Sequence, residues 1–185
     1  MDNETDLALL ERYRKGDRAA FTELVVRYQR PIYNAAFWLL RRPEDASDIA
    51  QIVFLRVAER LDDFDPKYKF FSWIYRIAVN ESLNLMRRNS REDALDDEVD
   101  VPGADSANPE WQLGEAEVST RIQGALMGMS TNHRTVLMLR HFSECSYQEI
   151  GQILDLDQKT VKSRLFEARH RLADILKDLR SSRPH

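Results

Sequence analysis

Apolar residues recur at helical spacing along most of this chain, and the gaps in that recurrence mark where helices stop. Over residues 5–40 the pattern breaks at Gly16-Asp17 and resumes through Phe21, Leu24, Val25, Tyr28, Ile32, Ala35 and Leu39. Asp17 is placed to cap the second helix, and Pro31 inside the pattern is expected to kink or divide it. Residues 44–61 form a third amphipathic helix whose acids sit in the first turn, as the helix dipole favours. After a turn at Asp65-Pro66, a further helix carries Ile74, Ile77 and Ala78 at core spacing and ends near Arg91. Periodicity is lost over residues 92–112, then returns in two helices before residue 145. Val118, Ile122, Ala125, Leu126 and Met129 line the first of these, and Val136, Leu137 and Leu139 fill the second.

Residues 146–169 read as two short helices around a tight turn. Ser146 followed by Glu149 is a capping-box spacing, in which each side chain satisfies a backbone donor near the other. Asp155 tolerates the left-handed conformation that such a turn needs, and Asp157 can cap the second helix. In that second helix Val161, Leu165, Ala168 and Leu172 face a core, and the apolar pattern continues to Ile175, Leu176 and Leu179. Lys159, Lys162, Ser163 and Phe166 then gather on the opposite face. Two cations, a hydroxyl and an exposed ring near a helix N-terminus suit a DNA major groove. A helical hairpin with a solvated basic face is the plainer alternative.

A second cluster lies in residues 62–91. Phe64, Tyr68, Phe70, Phe71, Trp73 and Tyr75 are interleaved with Lys67, Lys69 and Arg76. Asn80 and Asn84 follow one turn apart, and Arg87, Arg88 and Arg91 close the helix. Aromatics among cations can stack unstacked bases while the cations track phosphates, and Asn offers a donor and an acceptor to base edges. At least half of these aromatics are expected to be packing. Asp45, Asp48 and Gln51 on the third helix, with Ile52 beside them, form either an exposed polar face or a protein-docking face.

Charge sharpens the division of the chain. The net charge of −4 argues against nucleic-acid binding until it is split. Residues 1–91 carry 16 Lys/Arg against 14 Asp/Glu, residues 92–120 carry 0 against 10, and residues 121–185 carry 11 against 7. Two mildly basic blocks therefore flank an acidic segment. The expected fold is all-α: two helical domains, 1–91 and 113–185, joined by a flexible acidic linker at 92–112, with a helix-turn-helix in the second. The single cysteine, Cys145, excludes an internal disulfide and fits a reducing compartment. His141 lies four residues before it, so a two-residue metal site and a buried structural thiol are both conceivable, the thiol being the simpler. His133, His141, His170 and His185 all lie in the C-terminal half, apart from Asp45 and Asp48, which leaves little for an N-terminal metal or enzyme site. No catalytic residue, metal or cofactor is expected. Asp2, Glu4 and Asp6 have the wrong charge for a signal peptide, no apolar run is long enough to span a membrane, and a cytoplasmic location follows.

Three stretches, DASDIAQIVFLRVAERL, FFSWIYRIAVNESLNLMRR and SYQEIGQILDLDQKTVKSRLFEAR, occur in an order and with a linker that resemble a group IV, extracytoplasmic-function sigma factor of bacterial RNA polymerase. The resemblance covers residues from about 5 to 180. It implies conserved region 2 in the N-terminal domain and region 4 in the C-terminal one, with no enzymatic activity. Asp45, Asp48, Gln51 and Ile52 match the segment that docks on the β′ clamp helices of core polymerase; Ile52 departs from the acid that relatives usually carry. Phe64, Lys67, Tyr68, Phe70, Phe71, Asn80, Asn84, Arg87 and Arg88 match the element that reads and opens the minus-10 region of promoter DNA, the residues around Phe64 to Phe71 holding an extruded base. Lys159, Lys162, Ser163, Arg164, Phe166 and Glu167 match the minus-35 reader. Glu167 departs from a common cation and needs a cytosine amino group, Arg164 or Arg171 as partner. The β flap of polymerase and an anti-sigma factor, which could hold the protein at the inner membrane, are further partners the resemblance implies. A free-standing helix-turn-helix regulator that binds an operator without polymerase is the alternative.

Overall fold

Asp17 sets the first corner of the chain. Its carboxylate accepts from Ala19 N at 3.0 Å and pairs with Arg12 at 2.7 Å, ending helix α1 (Asn3–Arg14) and starting α2 (Arg18–Leu40). The computed structural model describes residues 3–93, 122 and 124–181. Helix α2 runs unbroken through Pro31, so the expected division does not occur there. The ring falls on a helix whose other face is locked by Tyr28, Ile32, Ala35 and Leu39, all buried. Arg41 turns the chain in the left-handed conformation (φ 61°), and Pro43 at the first position opens α3 (Pro43–Glu59). A single 3-10 turn (Leu61–Asp63) and the Asp65 turn lead into α4 (Phe70–Asp93).

The N-terminal unit packs α1, α3 and α4 around α2, with Leu10, Leu24, Ile49, Val53, Phe70 and Ile74 at its centre. One charge enters this core. Asp6 is 1% exposed, and both Arg27 and the Tyr28 hydroxyl bond to its carboxylate. Burial and that anion push the Tyr28 hydroxyl well above its ordinary range, so it stays a donor.

A helical segment over residues 124–127 precedes α5 (Thr131–His141), α6 (Tyr147–Leu154) and α7 (Gln158–Ser181). Val136, Leu139, Ile150, Ile153, Val161, Leu165 and Ala168 close this second unit. The described residues are helical with turns between, and none is in a strand. The linker expected over 92–112, and Val118, fall almost entirely outside the described residues.

Periodicity predicted two units, each with its own core. The structure adds that they touch. Helix α4 packs on α6, α2 packs on α5, and the buried residues of both units form one continuous cluster. Aromatic side chains at the surface of each unit make this possible: Trp38 stacks on Phe142 with ring centroids 3.8 Å apart.

Candidate nucleic-acid interface

The helix-turn-helix forms as its residues dictate. Ser146 Oγ accepts from Glu149 N at 3.2 Å, and Glu149 Oε2 accepts from Ser146 N at 2.8 Å, completing the capping box. Asp155 takes the left-handed conformation at φ 56°. Asp157 accepts from Thr160 N at 2.8 Å and from its hydroxyl at 2.6 Å, which fixes the start of α7. Gly151, absent from the sequence reading, proves necessary. A Cβ there would lie 2.6 Å from the Leu156 carbonyl oxygen, because the turn folds directly over it.

This turn aims the first two turns of α7 outward. Lys159, Lys162, Ser163, Phe166 and Glu167 are exposed and Arg164 is half-buried. Phe166, 63% exposed, rests against the His170 ring at 4.1 Å, which orders a large apolar group that would otherwise move freely in water. Glu167 does not meet Arg164 or Arg171, the partners expected within its own helix. It accepts from Ser163 at 3.3 Å and lies 3.6 Å from His133 Nε2 on α5. The fold brings α5 over α7, a contact that helix spacing alone does not reveal.

The N-terminal cluster separates into two kinds of residue. Phe64 and Phe70, expected where a base is held, are buried and pack edge-on against each other at 5.8 Å, with Trp73 beside both. They support the loop from inside. Tyr68 is 52% exposed, Lys67 and Lys69 are exposed, and Phe71 and Trp73 are half-buried. On α4, Arg76, Asn80, Asn84, Arg87 and Arg88 are all exposed, and Arg87 donates to Asn84 at 3.4 Å. Residues 76, 80 and 84 repeat every fourth position and so form one polar strip continuous with the loop.

On α3, Asp48 and Gln51 are exposed and Ile52 is half-buried. Asp45 is largely covered and pairs with Arg42 at 3.5 Å. Leu55, 62% exposed one turn beyond Gln51, belongs to the same face and was missed. Its signal was available, since it falls off the buried stripe of Ile49, Val53 and Val57.

Between the units lies a cleft of about 490 Å³, lined by Tyr68, Ser72, Trp73 and Arg76 on one side and by Gln148, Gln152 and Asp155 on the other. Lys69 Nζ reaches Glu149 Oε1 at 2.8 Å and Arg76 reaches Asp155 at 3.8 Å. Burial raises the Glu149 carboxyl, yet hydrogen bonds from Lys69 and Ser146 outweigh it and hold the group below its ordinary value. Cys145 is buried, donates weakly to the Ser143 carbonyl at 3.7 Å, and is pushed up to about 12 by burial and by Glu149. That is the environment of a structural thiol. Arg134, 3% exposed, has sulfur neighbours at Met127 (2.9 Å) and Met86 (3.8 Å), and burial beside Arg41 lowers its affinity for the proton. No described helix is long and apolar enough to cross a membrane.

Residues 24–92 match Sigma-70 region 2, and residues 119–172 match Sigma-70 region 4. The chain is 35% identical to the ECF RNA polymerase sigma factor SigW of Bacillus subtilis, over 92% of this chain and 96% of the relative. It is 32% identical to the ECF RNA polymerase sigma-E factor of Escherichia coli, over 95% and 96% respectively. Among solved structures, CnrH in complex with the cytosolic domain of CnrY superposes with a TM-score of 0.73 at 25% identity, covering 94% of this chain and 98% of that one. The sigma factor RpoE in complex with the anti-sigma factor NepR from Bartonella quintana gives 0.72 at 25% identity, covering 85% and 96%.

Proposed function

This chain is an extracytoplasmic-function RNA polymerase sigma factor of the sigma-70 family, and from that premise we propose that it reads a promoter at two points while docked on core polymerase. The observation that carries this is the exposure of two separate polar sets, one on the first turns of α7 and one on α4 with the loop that precedes it. Lys159, Lys162, Ser163, Arg164, Phe166 and Glu167 meet the minus-35 element, with α7 in the major groove. Lys67, Tyr68, Phe71, Asn80, Asn84, Arg87 and Arg88 meet the minus-10 element. Phe64 and Phe70 act there by packing the loop.

Asp48, Gln51 and Leu55 form the docking face for the β′ clamp helices, with Ile52 beneath them, while residues 113–185 dock on the β flap. Residues 1–91 and 113–185 are the two working domains. The protein acts by binding, with no catalysis of its own, in the cytoplasm, and an anti-sigma factor is its controlling partner. The family assignment leaves no role for the free-standing regulator.

Each domain carries a small cationic excess, so DNA affinity without polymerase is weak and falls with salt. Holding both readers on polymerase raises the effective concentration of the second once the first has bound. The test is run-off transcription with core polymerase. A promoter-dependent transcript supports the reading, and its absence, or equally tight promoter binding without polymerase, rejects it. Within the same assay, Glu167→Gln is expected to change minus-35 preference at one base pair, worth about 1–3 kcal/mol. Unchanged preference removes Glu167 from the reader.

A further inference from the structure

We infer that His133 of α5, outside the reading helix, is a positioning residue that sets minus-35 specificity. It holds Glu167 and Ser163 as a patch of hydrogen-bond acceptors, and that patch selects a base with an exocyclic amino group, adenine or cytosine. This rests on the placement of α7 in the major groove, to which it adds a residue and a base class.

Glu167 has the neighbours for an ordinary surface ion pair and does not use them. Arg171 stands four residues on, the favoured spacing and direction for an acid and a cation on one helix, and Arg164 stands three residues back. The carboxylate is divided instead between two other groups. Oε1 accepts from the Ser163 hydroxyl at 3.3 Å, and Oε2 lies 3.6 Å from His133 Nε2. His133 is well placed to take it. Only 21% of its side chain is exposed, so the ring has little room to turn away. It is the third residue of α5, whose start is capped by Ser130 Oγ accepting from His133 N at 3.4 Å. The positive end of that helix dipole adds to the attraction for an anion. A carboxylate opposite Nε2 also selects the form of the imidazole that carries hydrogen there.

The consequence falls on Ser163. A hydroxyl has one hydrogen to give and two lone pairs. With its hydrogen committed to Glu167, Ser163 faces the groove as an acceptor only. Glu167 accepts by nature, and its side chain stays 61% exposed, so lone pairs of both residues are open to a partner. In the major groove adenine N6 and cytosine N4 are the donors, whereas guanine and thymine present carbonyl acceptors there. An acceptor patch therefore attracts the first two bases and repels the others. Lys159 and Lys162, exposed on the same face, offset the cost of bringing a carboxylate near phosphates. Without His133 the carboxylate is released to Arg171. Ser163 then recovers its hydrogen, and with it the ability to meet either kind of base edge.

The test is run-off transcription by the full-length protein with core polymerase, on a promoter it transcribes, carrying each base in turn at every minus-35 position. At one position the wild type should favour adenine or cytosine over guanine and thymine by about five- to tenfold. On the preferred template, purine deoxyriboside for deoxyadenosine, or 2-pyrimidinone deoxyriboside for deoxycytidine, removes the amino group alone and should cost a similar factor. His133→Ala should lose most of this preference and keep those at the other minus-35 positions. His133→Gln, which retains a donor towards Glu167, should restore it. In a Glu167→Gln background His133→Ala should have no further effect, because the two side chains act as one unit. Should His133→Ala melt below the assay temperature, His133→Leu fills the same space without a donor and is judged by the same criteria. A wild type indifferent to the amino group at every position overturns the acceptor patch. A His133 variant without a donor that keeps the preference, or that loses transcription equally on all templates, overturns the role of His133. Both results leave minus-35 reading by α7 standing. A wild type with no minus-35 preference at all removes that reading and the role of His133 together.

Discussion

Trp38 and Phe142 stack at 3.8 Å with an interplanar angle of 24°, although they belong to different domains and lie more than a hundred positions apart in sequence. Phe142 is still 43% exposed, so this ring is held by its partner rather than by a core. Removing it should weaken the domain contact by about 1 kcal/mol, as for other aromatic pairs. Phe142→Ala is expected to speed alkylation of Cys145 about fivefold. Phe166→Ala, which removes a more exposed ring outside the contact, should leave that rate alone.

Phe70 and Tyr68 make a paired prediction, because two adjacent aromatics of one motif have opposite environments. Phe70 is fully buried against Tyr28 and Phe64, so Phe70→Ala should destabilise the N-terminal unit by about 3–5 kcal/mol. Tyr68→Ala should leave the melting temperature within about a degree or two and depress promoter opening in the transcription assay. A Tyr68 variant that transcribes normally places the base contact elsewhere, with Phe71 or Trp73 next in line.

Arg134 is expected to behave against intuition. Its guanidinium is nearly fully buried among Met86 and Met127 sulfurs, and its Nε has no hydrogen-bond partner. Among the described residues no carboxylate lies against it, and a buried cation so placed contributes less than a hydrophobic residue of similar volume. Arg134→Met should therefore raise the urea midpoint of the protein by an amount equivalent to about 1 kcal/mol or more. A lower midpoint means that Arg134 stabilises the fold through contacts stronger than thioethers provide.

The pH response of the contact between the two domains follows from Glu149. Its carboxyl is held below the ordinary 4.5, so its contribution is fully present above that value and is lost as pH falls through the lowered folded value. Scattering profiles should stay constant from pH 8 to about 5.5 and expand only in stronger acid. Expansion between pH 7 and 6 would show that a histidine, not Glu149, controls that contact.

Much of this was legible in the residues. Asp17, the Ser146 and Glu149 capping box, the left-handed Asp155 and the Asp157 cap all act within a few positions of themselves, and local chemistry is what sequence encodes most directly. The outward face of α7 followed from the spacing of Val161, Leu165 and Ala168. Burial of Phe64 and Phe70 was harder to see, because an aromatic in a basic loop reads the same whether it faces a base or a core. Gly151 gave no signal at all, since its need arises from a carbonyl five residues later that only the folded turn brings near. The partners of Lys69, Trp38 and Glu167 were invisible for the same reason: each depends on how distant helices meet.

Glu149 uses its two oxygens for different purposes. Oε2 accepts from the backbone of Ser146, while Oε1 takes Lys69 from the other domain. Breaking the second bond leaves the first intact. The capping box that starts the helix-turn-helix therefore does not depend on the contact with Lys69. The two roles of this one carboxylate can thus be lost separately, the Lys69 pair without the cap.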